Sequence, residues 1–561
     1  MSTTFFCMYA LIALAATVLM GLREFHMLQL NGYKTPEHSW WMKKNFKRYI
    51  FQLILFAVQF AALGFPLFHK GVGEMEIFNE KIIMGIFGVL FVMNIFLILI
   101  NKPGKKFKKP LDYTARMKRM MLTFGILVAL MYYAAFHVSE KIDLYSIGIP
   151  GEVTMWYKLT HSKFRSAMPF ILSGSALYLT PILVPLSNII NKPVEKAVQN
   201  WYINDAKKKL ADMPALHKVG ITGSYGKTSM KFYLSELLAS QYETLKTPES
   251  FNTPMGVTIT VRRDLRPTHQ YFICEMGARR VHEIKELCGI ADPHDGIITS
   301  VGPQHLETFG SIENVVNTKF ELADCVDAKG GKIYLNGDNE LIRKKAPEYK
   351  HAVTYGLNEG NDWKAKDVSV SDKGTEFTVI SPEGKSCRFS TKLLGEHNVQ
   401  NLLGAIAYAN GTGIALEKLV LPVKRIAAVP HRLQLLDKGN GLTFIDDAYN
   451  SNPSGCRAAL NVLGLFDACR ILVTPGMVEL GEKQEELNFE FGQEAAKACD
   501  YIVLVGKAQT VPIYNGIKDA GFDMEKVYVA DGLNEALAKV QSYQTSKKKI
   551  VLLENDLPDN Y

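Results

Sequence analysis

The sequence predicts an α-helical membrane domain followed by two α/β domains with mostly parallel sheets. Three observations support this fold class. Five apolar stretches precede Asn191, and no stretch of that kind follows it. A glycine-rich turn, Gly220–Ser229, stands between a short β-like run and an amphipathic helical pattern. Beyond this turn, apolar β-like runs alternate with helical stretches, which is typical of a sheet covered by helices on both faces.

Each apolar stretch is close to the length that crosses a bilayer as an α-helix, about 20 residues. One such stretch is equally typical of a buried core helix, but five in series indicate a membrane domain. The first stretch lacks a basic n-region and a small-residue cleavage site, so we expect it to be retained rather than removed as a signal peptide. The predicted spans are Phe5–Leu22, Tyr49–Phe68, Ile82–Ile100, Met120–Phe136 and Met168–Ile189.

The connections between the spans predict their orientation. The first connection carries six basic residues and the third carries eight, whereas the second has only Lys70 and Lys81 beside three glutamates. By the positive-inside rule, the first and third connections are cytoplasmic and the N-terminus is outside. Five spans then deliver the C-terminal half to the cytoplasm. We therefore predict a multi-pass membrane protein whose α/β domains are cytoplasmic.

The basic excess of the chain, formally +8, requires no nucleic-acid partner. Its densest cluster, Lys102–Lys109, falls in the third connection, where it would meet the head groups of anionic membrane lipids. The sequence has no basic stripe interleaved with aromatic residues, the pattern that reads bases. Its eight cysteines form no C-x-x-C pair, which argues against a zinc ribbon or a disulfide framework.

The turn Gly220–Ser229 has the character of a phosphate-binding loop, or P-loop. Backbone N–H groups freed by its glycines, together with the positive end of the following helix, suit the β- and γ-phosphates of a nucleotide. Lys227 is expected to reach the phosphates and Thr228 to ligate Mg²⁺. The G-x-x-G-K-T spacing differs from the strict P-loop pattern, and the alternative is a glycine turn with an accidental Gly-Lys-Thr. The residues expected to bind ATP here are Gly223, Ser224, Tyr225, Gly226, Lys227, Thr228 and Ser229.

Polar side chains follow two further β-like runs, at the strand ends where ligands gather in a parallel sheet. Glu275 ends one run, a position from which a carboxylate can bind the Mg²⁺ held by Thr228. His305 follows another run, and Lys319 lies in the helical segment that comes next. Singly, such residues are usually structural or surface residues. Together they indicate a metal and phosphate site.

The predicted elements define two α/β domains. The β-like runs of the first are 218–222, 257–261, 271–275 and 296–301, with helices from 229 to about 239 and at 312–323. Those of the second are 442–445, 470–474, 501–505 and 550–553, with helices at 455–465, 483–498 and 533–542. The predicted domains are therefore a membrane domain, 1–190; an amphipathic linker helix, 191–213; a central P-loop ATPase domain, 214–428; and a smaller Rossmann-like domain, 429–561.

The motifs of the C-terminal half resemble those of the Mur ligase superfamily, and within it the branch that adds D-alanyl-D-alanine to a UDP-muramoyl tripeptide. The resemblance covers roughly residue 214 to the C-terminus. Any one motif is modest evidence, but eight in family order are specific. The matched stretches are Gly223–Thr228, Asn252–Gly256, Glu275–Gly277, His305–Ser311 with Lys319, Gly395–Asn401, His431–Arg432, Asp446–Pro453 and Gly476–Gly481.

The resemblance implies ATP and two Mg²⁺ ions as cofactors. Thr228 and Glu275 would hold the first ion, and Glu275, His305 and a carbamylated Lys319 would hold or position the second. Carbamylation turns an ammonium into an oxygen ligand of opposite charge, which explains a lysine beside a metal. The implied catalytic residues are Lys227, Glu275, His305, Lys319 and Arg432.

Further residues are implied to contact the nucleotide or the substrates. Arg432 would reach the γ-phosphate across a domain cleft. Asn398 and Asn401 would lie near the adenine, although either of them is also compatible with a helix cap, and Asp446 with a structural role. The last domain would contribute Asp447, Tyr449 and Asn450 to the nucleotide, and the central domain would present Asn252 and Thr253 to the amino-acid substrates.

The chain departs from the family pattern in two ways. Family enzymes begin with a soluble domain that binds the uridine nucleotide, whereas five predicted spans occupy that place here. The usual Leu-Gly-Asp-Met-x-Glu-Leu-Gly motif is replaced by Thr474–Gly481, which lacks the aspartate. The acceptor is therefore left open, while the matched motifs imply the ATP chemistry.

We accordingly predict an ATP-dependent amide ligase of the bacterial inner (cytoplasmic) membrane. A substrate carboxylate would attack the γ-phosphate to give an acyl phosphate, and an amine would then displace phosphate. The expected partners are membrane lipids, a small-molecule or lipid-linked cell-wall precursor, and an amino-acid or dipeptide amine.

The first hypothesis is addition of D-Ala-D-Ala to UDP-MurNAc-tripeptide in peptidoglycan precursor synthesis. One alternative is a Mur-type ligase acting on a lipid-linked muropeptide or a poly-γ-glutamate-like polymer. Another is a non-catalytic, nucleotide-binding membrane scaffold. A transporter is disfavoured, because the spans contain few of the charges that a transport pathway needs.

Overall fold

The computed structural model of the chain divides at Val198 into two compact units. The first unit ends at Val198 and the second begins at Gln199. The division falls inside a helix that runs from Thr154 to Ala211. The structure describes residues 3–47, 49–51, 54, 57, 89, 91–93, 95, 96, 110–141, 154–371, 373–437, 439, 441–448, 452–478 and 480–555.

The described part of the N-terminal unit is helical. The helices described there are α1 (Thr3–Leu30), α2 (Thr35–Lys44), α3 (Ala115–Lys141) and the first part of α4 (Thr154–Ala211). Among the described residues, two segments are long and apolar enough to cross a membrane, Met8–Leu30 and Ala115–Ala134. They correspond to the first and fourth predicted spans. Most of the second and third predicted spans lies outside the described residues, and the fifth falls within α4.

Helices α1, α3 and α4 share an apolar core in this unit. Phe25 of α1 meets Phe124 of α3 edge to face, with ring centroids 5.5 Å apart, and Val184 of α4 belongs to the same buried cluster. A Cβ atom on Gly21 would lie 3.1 Å from the Phe124 ring, so the glycine allows the two helices to approach closely. The backbone N–H and carbonyl of Asp112 bond reciprocally to the Gln29 side-chain amide, which ties the start of this segment to α1.

The second unit contains a nine-stranded sheet in the order β2-β3-β1-β4-β5-β6-β7-β8-β9. Its first seven strands pair in parallel, and β8 and β9 continue the edge as an antiparallel hairpin. The mostly parallel sheet predicted for this region is confirmed. The strands are β1 (His217–Thr222), β2 (Thr244–Lys246), β3 (Tyr271–Glu275), β4 (Asp295–Ile298), β5 (Ile333–Asn336), β6 (Ala352–Gly356), β7 (Trp363–Ser371), β8 (Gly374–Ile380) and β9 (Ser386–Thr391).

Helices cover both faces of this sheet, as the alternation of apolar runs predicts. One apolar cluster contains residues of α5, α11 and α12, and another contains residues of α6, α7, α9 and the end of α4. The helices of this region are α5 (Lys227–Leu238), α6 (Pro254–Asp264), α7 (Glu283–Ala291), α8 (Leu306–Phe309), α9 (Ile312–Asp327), α10 (Glu340–Lys345), α11 (Glu396–Gly411) and α12 (Leu416–Arg425), with a 3₁₀ turn at Ala346–Glu348.

A second, six-stranded sheet follows in the order β10-β11-β15-β12-β13-β14. All of its neighbouring strands are parallel except the edge pair β10 and β11, as expected for a Rossmann-like domain. Its strands are β10 (Gln434–Asp437), β11 (Leu442–Asp447), β12 (Cys469–Thr474), β13 (Tyr501–Val505), β14 (Val527–Ala530) and β15 (Lys549–Glu554). Its helices are α13 (Pro453–Gly464), α14 (Gln484–Ala498), α15 (Val511–Asp519) and α16 (Leu533–Ser542), with 3₁₀ turns at Gly481–Lys483 and Met524–Lys526.

One predicted strand is wrong. The run Val257–Val261 lies in helix α6, not in the sheet. Its β-branched residues favour a strand, but Pro254 occupies the first turn and the Thr253 hydroxyl accepts a hydrogen bond from the Gly256 N–H at 3.3 Å, which together start a helix. The Thr258 hydroxyl bonds to the carbonyl four residues back at 2.7 Å, an arrangement that accommodates this residue in the helix.

Candidate active site

The predicted P-loop joins the end of β1 to the start of α5. Gly223 and Gly226 adopt φ angles of +151° and +79°, which side chains rarely allow. A Cβ atom on Gly223 would lie 2.2 Å from the Thr299 Oγ1 atom, and one on Gly226 would lie 2.8 Å from the Asn401 Oδ1 atom. Both positions therefore require glycine, and the loop is a backbone cradle of the kind that receives phosphates.

The turn after β4 braces this loop. The Ser224 N–H donates to the Ser300 carbonyl at 2.7 Å, and the Tyr225 N–H donates to the Ser300 hydroxyl oxygen at 2.9 Å. The Tyr225 hydroxyl donates to the Pro303 carbonyl at 2.8 Å. Ser300 was not predicted to belong to the site, because its contacts arise from the neighbouring positions of β1 and β4 in the sheet.

Lys227, the first residue of α5, folds back over the loop. Its Nζ atom donates to the carbonyls of Gly223 and Ser224 at 2.7 and 2.9 Å. Burial lowers the pKa of Lys227 to about 8, with the negative charge of Glu275 opposing this change and the positive charge of Arg432 adding to it. The ammonium is therefore held beside the loop, in position to meet an anion.

The Glu275 carboxylate brings three elements together. It lies at the end of β3 and is 1% exposed. Its Oε1 atom accepts hydrogen bonds from the Thr228 hydroxyl at 3.1 Å and from the Asn252 amide at 3.0 Å. Its Oε2 atom lies 2.9 Å from the Nζ atom of Lys231, which is fully buried and also donates to the backbone carbonyl of Glu249. The structure thus joins residues predicted separately for metal, nucleotide and substrate.

Lys231 was not predicted. A signal for it exists, because it follows Lys227 by one helical turn and stands among buried residues on α5. A lysine at such a position needs a partner, since an unpaired buried charge is strongly destabilising.

The donor atoms at this point fit Mg²⁺. A hydroxyl and a carboxylate oxygen 3.1 Å apart are the hard oxygen ligands that this ion prefers. The described part of the chain contains no group of three or more His, Cys, Asp or Glu residues able to hold a metal ion. Thr228 and Glu275 would therefore hold Mg²⁺ only together with phosphate oxygens and water, which is the usual arrangement for this ion at nucleotide sites.

Lys319 is buried in α9 and is 1% exposed. Its Nζ atom lies 6.0 Å from the centre of the Phe309 ring, and the described residues form no hydrogen bond or salt bridge with it. Burial and then the charge of Lys227 lower its pKa well below the usual value. A neutral amine is the form that reacts with carbon dioxide, so this environment fits carbamylation. His305 lies just before α8 with a φ of 53°, at the start of the same α8–α9 segment.

The two asparagines predicted near the adenine have different surroundings. Asn398 is 5% exposed, and its side chain accepts a bond from the Tyr233 hydroxyl at 2.8 Å and donates to the Leu394 carbonyl at 2.8 Å. These bonds link α11 to α5, which favours a structural role for Asn398. Asn401 instead packs against Gly226 of the P-loop.

Two aspartates at the end of β11 hold the loop that carries Arg432. The Asp446 carboxylate lies 2.8 Å from the His431 Nδ1 atom, and the Asp447 carboxylate accepts the Leu433 N–H at 3.2 Å. His431 and Leu433 adopt left-handed φ angles of 59° and 45° on either side of the arginine. The contact with His431 favours a structural role for Asp446. Tyr449 and Asn450, predicted to contact nucleotide, lie outside the described residues.

Arg432 is electrostatically coupled both to the P-loop and to Asp447. Its charge lowers the pKa of Lys227. Burial raises the pKa of Asp447 to about 6, and the charge of Arg432 opposes that rise. Asp447 is also the register neighbour of Glu554 on β15, a buried carboxylate that was not predicted, because the pairing of β11 with β15 is not visible in the sequence.

Comparison with known proteins gives two family matches. The Mur ligase middle domain matches residues 221–409, and the glutamate ligase domain of Mur ligases matches residues 431–554. The chain is 30% identical over 331 residues to the UDP-N-acetylmuramoyl-tripeptide–D-alanyl-D-alanine ligase of Escherichia coli K12, covering 57% of this chain and 72% of that relative.

It is 34% identical over 277 residues to the protein of the same name from Bacillus subtilis 168, covering 49% of this chain. The chain spans 59% of the length of the Bacillus relative and 60% of a Haemophilus influenzae relative.

Solved structures support the same relationship. The structure of MurF from Acinetobacter baumannii superposes with a TM-score of 0.57 at 26% identity, covering 65% of this chain and 78% of that one. The ADP complex of the MurF ligase from Thermotoga maritima shares the fold at 24% identity with a TM-score of 0.57, covering 64% of this chain and 80% of that one. Since the matches extend over both α/β domains and their motifs, this chain belongs to the Mur ligase family.

Proposed function

We propose that this protein is an ATP-dependent ligase that adds D-alanyl-D-alanine to a UDP-N-acetylmuramoyl tripeptide in peptidoglycan precursor synthesis. The observation that carries the proposal is the buried Glu275 carboxylate, which is contacted both by Thr228 of the P-loop and by Asn252 of the predicted substrate loop. One carboxylate thereby links the nucleotide side of the site to the acceptor side. The substrates are those named for the relatives in E. coli and B. subtilis.

In the proposed reaction, an oxygen of the tripeptide carboxylate attacks the γ-phosphorus of ATP, and the bond to the β–γ bridging oxygen breaks to release ADP. The amine of D-Ala-D-Ala then attacks the acyl phosphate, loses a proton and displaces inorganic phosphate. Mg²⁺ held by Thr228 and Glu275 supplies charge neutralisation at the phosphate oxygens when it is bound. Lys227 and Arg432 supply fixed positive charge to the transferred group.

Other residues have positioning roles in this proposal. The Asn252 amide donates a hydrogen bond to the Glu275 carboxylate, and the next residue, Thr253, caps the start of α6. Lys319, in carbamylated form, and His305 would hold or position the second Mg²⁺ ion. Asn401 supports the conformation of Gly226. Positioning of this kind can contribute a large part of the rate acceleration in transfers between two bound substrates.

We also propose that the N-terminal helices attach the enzyme to the bacterial inner membrane as a multi-pass domain, with the ligase domains in the cytoplasm. The proposed domains are 1–190, 191–213, 214–428 and 429–561. Support comes from the apolar segments Met8–Leu30 and Ala115–Ala134 and from the basic first and third connections. Membrane attachment would keep the product near later membrane-bound steps of the pathway.

The test is phosphate release by the full-length protein in detergent, with ATP, UDP-N-acetylmuramoyl tripeptide and D-Ala-D-Ala. Release should require both substrates and should be lost in Lys227→Ala. Lys208→Ala is the matched control, because Lys208 is an exposed lysine of α4. Nucleotide binding without turnover, for this acceptor and for a lipid-linked muropeptide, would indicate a scaffold and overturn the proposal.

A further inference from the structure

We propose that a basic pocket beside α6 binds the diphosphate of the acceptor substrate. This inference rests on the proposed function, because the acceptor named for the relatives is a UDP-linked muramoyl peptide. The shared chemistry is a diphosphate ester, which either a nucleoside diphosphate or a lipid diphosphate supplies. The pocket lies entirely within the second unit, between the end of α4 and the exposed side of α6.

The pocket has a volume of about 340 Å³. Three cationic side chains and one carboxylate contribute to its wall, so its local charge is positive. Its apolar wall is Ile259, which is 42% exposed. The residues that form it are Asp205, Lys209, Ile259, Arg262 and Arg263.

Arg262 is held in a fixed orientation. Its Nε atom donates to the Asp205 carboxylate at 2.6 Å, and its guanidinium stands 4.2 Å from the centre of the Tyr202 ring and 5.2 Å from that of Trp201. Within the described part of the chain, its two terminal nitrogens have no hydrogen-bond partner. A planar guanidinium fixed in this way is preorganised for phosphate oxygens.

Lys209 makes the surroundings of Arg262 compatible with an anion. Its Nζ atom donates to the carbonyls of Val261 and Arg262 at 3.0 and 3.1 Å, in the last turn of α6. It thereby satisfies carbonyls at the negative end of the helix dipole, which would otherwise repel a phosphate. Arg263 pairs with Asp264 at 2.8 and 2.9 Å, so Arg262 is expected to be the principal contact.

The exposed side of α6 connects this pocket to the candidate active site. One side of α6 carries residues that follow one another at spacings of three or four. They are Met255, Ile259, and then Arg262 or Arg263. From Pro254 to Arg263 the helix rises about 13 Å. An extended tripeptide covers about 10 Å, and the sugar adds to this length. An acceptor whose carboxylate lies near Asn252 can therefore place its diphosphate at the pocket.

The exposed Trp201 provides a way to distinguish the two sources of diphosphate. The residue is 60% exposed, and its ring lies beside the Arg262 guanidinium at the edge of the pocket. An exposed indole face can stack on a base such as uracil. Loss of this ring should weaken binding of a UDP-linked acceptor, whereas binding of a lipid diphosphate should depend on the arginine alone.

The experiment is equilibrium binding and steady-state kinetics of the full-length protein in detergent, comparing wild type with Arg262→Ala. The probes are UDP-N-acetylmuramoyl tripeptide and a lipid-diphosphate-linked muropeptide. We expect the Kd and KM for the acceptor to rise about tenfold, as loss of a charged hydrogen bond requires. The KM for ATP and kcat should stay within about twofold of wild type. Lys207→Ala, which changes an exposed lysine of α4 outside the pocket, is the matched control.

Trp201→Ala separates the two sources, since it should raise the Kd of the UDP-linked probe only. Arg262→Lys tests the fork geometry and should give an intermediate Kd. Unchanged Kd for both probes in Arg262→Ala would overturn the inference, as would a loss confined to binding of anionic lipid vesicles, which would mark a membrane contact instead. Equilibrium binding does not depend on turnover. An inactive wild-type protein would therefore contradict the proposed function, while the Kd values would still test the pocket.

Discussion

The Thr228 hydroxyl donates a hydrogen bond to the Glu275 carboxylate across 3.1 Å, joining the first turn of α5 to the end of β3. This contact follows from the sheet order, in which β3 is the direct neighbour of β1. The P-loop and the carboxylate are therefore brought together by two adjacent parallel strands. Their carboxyl ends form the edge at which ligands bind in α/β sheets.

Glu275 should be important for both activity and stability. Glu275→Ala leaves the Lys231 ammonium buried without its carboxylate partner, so we expect the free energy of unfolding to fall by about 3–5 kcal/mol. Ligase activity should be lost, since the proposed metal ligand is absent. Urea unfolding of the purified protein measures the first effect.

The double variant Lys231→Met, Glu275→Gln tests this explanation. It removes both buried charges at similar volume, so it should recover much of the stability while remaining inactive. Equal instability of the single and double variants would show that the Lys231–Glu275 pair is not the cause.

Lys319 should be required for catalysis but not for stability. Because its amine is buried without a carboxylate partner among the described residues, Lys319→Met should leave the free energy of unfolding unchanged or raise it by about 1 kcal/mol. Activity should fall to background, because methionine cannot be carbamylated. Intact-mass measurement of the wild type under carbon dioxide should show the carbamate, and an active Lys319→Met enzyme would exclude its proposed role.

The buried Asp447 should make stability depend on pH. Its folded-state pKa is raised to about 6, so the protonated form is favoured in the folded protein. The contribution of Asp447 to the free energy of unfolding is fully present below the ordinary pKa of 3.8 and is lost as the pH rises through 6. Charged and titratable neighbours that act on it are Arg432, Asp446 and Glu554.

Asp447→Asn removes this titration. The difference in unfolding free energy between variant and wild type should therefore shift in favour of the variant between pH 4 and pH 7. Urea titrations at the two pH values measure this difference. A difference that is the same at both pH values would contradict the raised pKa of Asp447.

Gly226 should tolerate no side chain. An alanine there would have to adopt a φ of +79° with its Cβ atom 2.8 Å from the Asn401 amide oxygen. We expect Gly226→Ala to weaken ATP binding and to cost about 1–3 kcal/mol of stability. The matched control is Gly289→Ala in α7, where nothing lies within 4 Å, and this change should be neutral or stabilising by about 0.5–1 kcal/mol. Calorimetric ATP titration of both variants distinguishes them.

Much of the fold was predictable, because local patterns determine it. β1, the glycine loop and α5 are visible as an apolar run, two glycines and an amphipathic repeat, although the helix begins at Lys227 rather than at Ser229. The strand predicted at Val257–Val261 failed because Pro254 and the Thr253 cap outweigh the β-branched composition.

The candidate site was predicted less completely, because its contacts are tertiary. Glu275 and Thr228 were assigned to one site, and the structure joins them. Ser300 and Glu554 were not found, since each enters the site through pairing of strands that the sequence does not display. Lys231 was missed although its position, one helical turn after Lys227, is visible in the sequence. Asn398 carries a family motif, yet its bonds to Tyr233 and Leu394 are those of a packing residue.

Isotope transfer from the acceptor to phosphate shows whether the reaction passes through an acyl phosphate. The terminal carboxylate of the UDP-N-acetylmuramoyl tripeptide is labelled with ¹⁸O, and the reaction is run with ATP and D-Ala-D-Ala. An acyl phosphate requires one labelled oxygen to leave with the phosphate, so we expect inorganic phosphate carrying a single ¹⁸O together with the ligated product. Unlabelled phosphate, or phosphate released without ligation, would contradict it.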